Sequence, residues 1–138
     1  MDVPRIPKIS NPTLDSYITV LKIKKSIEKC KEGKASGTDP VNYSFYKRFP
    51  ENWLQYLEIL FNRIMTTEIM PSSWGHLTMS MLFKKGDIHD PSNYRPITLV
   101  NCTAKISTQI LCSRLTKWVT DANLIPESQS GFENGGAA

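Results

Sequence analysis

Three cations in this 138-residue chain, Lys84, Lys85 and Arg95, stand on either side of a turn-forming stretch, Gly86-Asp87 through Asp90-Pro91-Ser92-Asn93. Arg can fork onto phosphate oxygens through several donors and Lys supplies a movable point charge, so the trio suits a triphosphate or a nucleic-acid backbone. The competing reading is a solvated hairpin whose charges keep its edges from pairing with other chains. A second glycine-bearing stretch, Gly33 to Asp39, invites comparison with a P-loop, but that motif needs Lys directly after its second glycine and Gly37 is followed by Thr38. Cys30, Cys102 and Cys112 lack the close spacing of a zinc or redox motif, and His76 and His89 have no Cys or His at ligand spacing, so no bound metal is expected. Reduced thiols are the expectation for all three cysteines.

The elements that would carry these residues follow from periodicity. Val20, Ile23, Ile27 and Cys30 recur at three- and four-residue steps, the period of one helix face, while Lys22, Lys24, Lys25, Lys29 and Lys31 fall mostly off that stripe. Those lysines either line a nucleic-acid groove or form the wet face of a helix, with Gly33 expected as a left-handed C-cap. A structured loop over 33–40 and a short aromatic stretch, Tyr43, Phe45 and Tyr46, come next. Pro50 and Glu51 open a second helix whose apolar face is read as Trp53, Leu54, Leu57, Leu60, Phe61 and Ile64, running until residues 70–73. Trp53 and Phe61 are expected in the core, and Tyr46 is left open between core packing and base stacking.

From Leu77 the pattern alternates: Leu77, Met79, Met81 and Phe83 on one side, Thr78, Ser80, Leu82 and Lys84 on the other, which predicts a strand. A second strand is expected around 94–99, short, bulged or at an edge because Pro96 lacks a ladder donor. A last helix over about 104–119 would bury Ile106, Ile110, Leu111, Leu115 and Trp118. The fold class is thus α+β, mostly helical with a small antiparallel ribbon. One domain is expected: an extended lead over 1–18, a folded body over 19–132 and a frayed tail over 133–138.

Composition agrees with a folded chain: 40% hydrophobic and 22% charged residues are ordinary for a globular protein. The formal charge of +4 fits a polyanionic partner without requiring one. No uncharged apolar run is long enough to cross a bilayer, so secretion and membrane insertion are disfavoured.

In order along the chain, Trp74, Leu82-Phe83-Lys84-Lys85-Gly86-Asp87, Asp90-Pro91-Ser92-Asn93-Tyr94-Arg95-Pro96-Ile97-Thr98-Leu99, Lys105-Ile106, Arg114-Leu115 and Gln129-Ser130-Gly131-Phe132 resemble the fingers region of reverse transcriptases of LINE-type, non-LTR retrotransposons. Upstream, Gly33 to Asp39 resembles the loop that precedes the fingers in that family, usually Gly-Lys-Ala-Pro-Gly-Pro-Asp-Gly. Ser36 stands where the family usually has proline, Pro40 where it has glycine, and Glu133 where arginine normally follows Gly-Phe.

The resemblance implies that Arg95 and one of Lys84 or Lys85 would contact the triphosphate of an incoming nucleotide. It also implies that Lys31, Lys34 and Gly37 would lie against template RNA, and that Gln129, Gly131 and Phe132 would approach nucleotide and template. An RNA template and a primer-template duplex are the implied partners, with self-association through exposed apolar surface as a further outcome. The intact family enzyme uses Mg2+ held by palm aspartates, whereas the six aspartates here are scattered without an adjacent pair, so no catalytic residue, cofactor or metal is assigned to this chain. The expectation is therefore a truncated RNA-directed DNA polymerase fragment comprising fingers and early palm, inactive alone. The alternatives are a reused interaction module, or part of an active polymerase whose palm lies on a longer product. An intracellular protein of cytoplasm or nucleus is implied by resemblance only.

Overall fold

The computed structural model describes residues 10–33, Gly37 and 41–124. Its elements run α1 (Val20–Lys29), α2 (Tyr43–Lys47), α3 (Glu51–Thr67), a 3-10 turn (Ser72–Gly75), β1 (Thr78–Phe83), a second 3-10 turn (Pro91–Asn93), β2 (Tyr94–Leu99) and α4 (Cys102–Asp121). The class is α+β, mostly helical with one small antiparallel ribbon. The chain falls into two compact units, one formed by residues 18–110 and one combining residues 1–17 with 111–138.

In the larger unit, the helix periodicity translates directly into burial. Thr19 caps α1 by accepting from the Lys22 amide, and Ile23 and Ile27 are sealed beneath it while Lys22, Lys24, Lys25 and Lys29 stay wet. Asn42 caps α2 in the same way through the Phe45 amide. Leu54, Leu57 and Phe61 of α3 join Ile106 and Ile110 of α4 in one core with Ile23 and Ile27, and Phe61, Ile23 and Ile106 are at most 1% exposed. Tyr43 and Tyr46 are buried in that core, Tyr46 with its hydroxyl bonded to Thr103 Oγ1. That bond settles the open choice for Tyr46 in favour of packing.

Four expectations change at the helix ends and faces. Gly33 has the positive φ of 72° expected of it, but α1 ends earlier, at Lys29, with Cys30 already extended, so the glycine turns the chain beyond the helix. Helix α3 stops at Thr67, where Glu68 takes a left-handed φ of 60°, several residues before Pro71. Trp53 lies outside the core at 53% exposure, because the buried stripe of α3 runs through Leu54, Leu57 and Phe61 and Trp53 falls to one side of it. Leu115 of α4 is likewise half exposed.

In the smaller unit the lead is turned over 11–15: the Asp15 amide bonds the Asn11 carbonyl at 2.8 Å and the Asn11 amide bonds Asp15 Oδ2 at 2.6 Å. The buried Arg114 guanidinium donates from Nη1 to the Leu14 carbonyl at 3.0 Å. Burial lowers the pKa of Arg114 and the Asp15 charge opposes that shift. Among the described residues no helix is long and apolar enough to cross a membrane.

A ribbon with two cations on one face

Strands β1 and β2 pair antiparallel in an unbroken register, Thr78 opposite Leu99 through Phe83 opposite Tyr94, with Leu82 opposite Arg95. Pro96, opposite Met81, interrupts nothing, since in a two-stranded ribbon each strand is an edge and its missing donor points outward. The Lys84 amide donates to the Asn93 carbonyl at 2.8 Å, carrying the ladder one residue beyond the strands. Successive side chains alternate faces, so Ser80, Leu82, Lys84, Arg95 and Ile97 share one face and Met79, Met81, Phe83, Tyr94 and Pro96 share the other. Lys84 and Arg95 are therefore diagonal neighbours. Lys85 lies past the ladder in a bend, where the pleat no longer fixes its direction.

The tip that follows is held by its own side chains. Gly86 has φ 101°, where a side chain would strain the backbone, and a Cβ there would meet Asn93 Nδ2 at 2.7 Å and push that side chain aside. Asn93 Nδ2 donates to the Asp87 carbonyl at 3.0 Å, and the Tyr94 hydroxyl donates to the Ile88 carbonyl at 2.8 Å. Asp90 accepts from the Ser92 amide at 2.9 Å, and that bond holds its carboxylate below the usual range. These bonds tie the tip residues to one another, and Lys84, Lys85 and Arg95 stand exposed beside them with no ion pair to any described residue.

Of the residues assigned to template RNA, Lys31 is exposed just beyond α1. Gly37 is half-buried, and a Cβ on it would fall 2.9 Å from both the Asn101 amide nitrogen and the Val100 carbonyl carbon. Gly37 thus lies against the backbone just before α4, an approach that only glycine allows. Lys34, Gln129, Gly131 and Phe132 lie outside the described residues. Among the described residues no group of three His, Cys, Asp or Glu is placed to hold a metal ion.

Sequence reading missed one feature of this unit: the rings of Phe45, Trp53 and Tyr56 are at least half exposed rather than packed away. The three-residue step from Trp53 to Tyr56, off the Leu54-Leu57-Phe61 stripe, was the available clue.

No family model matches the chain. Several curated relatives match most of it, among them three from Drosophila melanogaster. The probable RNA-directed DNA polymerase from transposon BS of Drosophila melanogaster is 29% identical over 119 residues, 86% of this chain and 13% of that protein. The RNA-directed DNA polymerase from mobile element jockey of the same fly is 29% identical over 118 residues, 85% of this chain and 13% of its own length. The probable RNA-directed DNA polymerase from transposon X-element is 29% identical over 103 residues, 74% of this chain and 11% of the relative. The chain thus spans about an eighth of the first two relatives, and the stretch they share contains the ribbon and the helices that carry it; over that stretch the chain is similar to the RNA-directed DNA polymerases of non-LTR retrotransposons.

Proposed function

We propose that the β1–β2 ribbon is the phosphate-handling finger of an RNA-directed DNA polymerase, with Arg95 and Lys84 as its paired cations. The register carries this reading: it sets Arg95 and Lys84 on one face as diagonal neighbours, close enough to serve one triphosphate or two successive phosphates. Lys85, beyond the ladder, serves as a movable charge at the tip. The loop through Gly37, with Lys31 and Lys34, would follow the template, and Gln129, Gly131 and Phe132 would approach nucleotide and template as the family resemblance implies. Template RNA and primer-template duplex are the partners of the polymerase so proposed, with Mg2+ held outside the described residues. A hydrogen-bonded tip serves this role because it holds the backbone beneath the cations in place before the ligand arrives.

The test is binding of labelled RNA to the purified chain across a salt series. Every phosphate left unneutralised lowers the slope of log affinity against log salt by about 1. Arg95→Ala and Lys84→Ala should each lower it by that amount and Lys85→Ala by less. Equal slopes in all three variants, or no binding at low salt, would remove the proposal.

A further inference from the structure

On the α2–α3 side of the larger unit four aromatic rings form a ladder. Phe45 and Phe49 have centroids 4.5 Å apart, Phe49 and Trp53 5.8 Å, and Trp53 and Tyr56 6.0 Å. Phe49 alone is anchored against the core; Phe45, Trp53 and Tyr56 are 50%, 53% and 69% exposed. Large rings left in water over two consecutive helices form a patch that a monomer gains nothing by exposing.

The charges around the ladder select its occupant. Asn52, Tyr56, Ile59 and Arg63, all exposed, follow one another at four-, three- and four-residue steps, so this row along α3 carries no carboxylate and one guanidinium. Arg48, beside Phe49, is exposed as well, and neither arginine is paired with any described residue. Glu51 is paired with Lys24 and Glu32 with Lys47, both at 3.6 Å, and Glu58 is half-buried off the Asn52-Tyr56-Ile59-Arg63 row. Exposed rings on a stretch of chain that begins at Arg48 and continues along α3 to Arg63 match a strand whose bases stack and whose phosphates take the arginines. An apolar protein partner would not need the cations.

We propose that this aromatic ladder is a second nucleic-acid surface, binding single-stranded RNA by stacking bases on Trp53 and Tyr56 while Arg48 and Arg63 hold its phosphates. The surface is built from residues other than those of the ribbon, so it stands or falls independently of the ribbon's role. A strand bound at both places would be held at two points, and the second would retain it between encounters at the first.

Titrating the chain with a labelled single-stranded oligouridylate and with an RNA duplex of equal length, each across a salt series, tests it. Trp53→Ala and Tyr56→Ala should each weaken single-strand binding about tenfold, by the same factor at every salt concentration, because stacking releases no counterions. Trp53→Phe should keep most of the affinity. Arg48→Ala and Arg63→Ala should instead lower the salt slope, and duplex binding should not respond to the ring variants. Should Trp53→Ala lose its helical circular dichroism, the two arginine variants decide: an unchanged slope in both overturns the proposal. It is also overturned by unchanged single-strand affinity in folded ring variants, or by ring variants that abolish self-association while leaving RNA affinity intact, which would mark a protein-docking face. If the ring variants weaken binding and Arg95→Ala and Lys84→Ala do not, the ladder stands and the ribbon proposal fails.

Discussion

Asn62 illustrates how one side chain can replace a missing strand. Its Oδ1 accepts from the Ile18 amide at 2.9 Å, and its Nδ2 donates to the Ile18 and Glu58 carbonyls, each at 2.7 Å. Ile18 is 2% exposed, so both of its backbone groups depend on this one amide. Asn62→Ala should therefore cost about 2–3 kcal/mol, the penalty for stranding a buried donor and acceptor, read as a lower urea midpoint with an unchanged m-value. Gly37 poses the opposite problem, since there an added atom is the fault. Gly37→Ala drives a methyl against the backbone of Val100 and Asn101, and neither can yield as a side-chain tip would. A loss of about 1–3 kcal/mol is expected, read as a lower urea midpoint.

At the scale of elements, α3 has two unlike faces. Its inner face is the core, and Phe61→Ala, which removes a ring 1% exposed and packed edge-on against Trp74 at 6.5 Å, should cost about 3–5 kcal/mol in thermal or urea unfolding. Its outer face carries Trp53 and Tyr56, and their replacement should change stability by no more than about 0.5 kcal/mol. That contrast separates packing rings from binding rings within one helix. The ribbon tip has a pH dependence of known sign. The Ser92 amide holds Asp90 in its charged form, so its folded pKa lies below the unfolded value. The cap's contribution is complete above the ordinary carboxylate range and is lost as pH falls through the lowered folded pKa. An NMR titration should show the Ser92 amide shifting with an Asp90 midpoint below that of a free aspartate.

For the whole molecule, the exposed ribbon is the governing fact. Every residue of β1 is exposed, and one face sets Met79, Met81 and Phe83 together in water. An apolar strand face with free edges invites association. Sedimentation should show mass rising with concentration, and Met81→Lys should reduce that rise while leaving the helical circular dichroism unchanged. A monomer at all concentrations would mean that the ribbon's charges already suffice to keep copies apart.

Much of this architecture was written in local pattern. The α1 stripe, the start of α3 at Pro50–Glu51, the alternation through β1 and the turn residues before Tyr94 all read correctly from sequence, because helix and strand periods and turn chemistry act over a few residues. The order of Lys84, Gly86, Asn93 and Arg95 likewise marked the ribbon before its geometry was known. What sequence could not decide was which side of an apolar helix meets the core. Trp53 and Phe61 both stand among the apolar residues of α3, yet only the packing of α1, α3 and α4 places one inside and the other in water. Nor could it decide between Lys84 and Lys85: strand register, set by a hydrogen bond between residues nine positions apart, puts Lys84 beside Arg95. Burial and register depend on partners distant in the chain, so both belong to the tertiary structure.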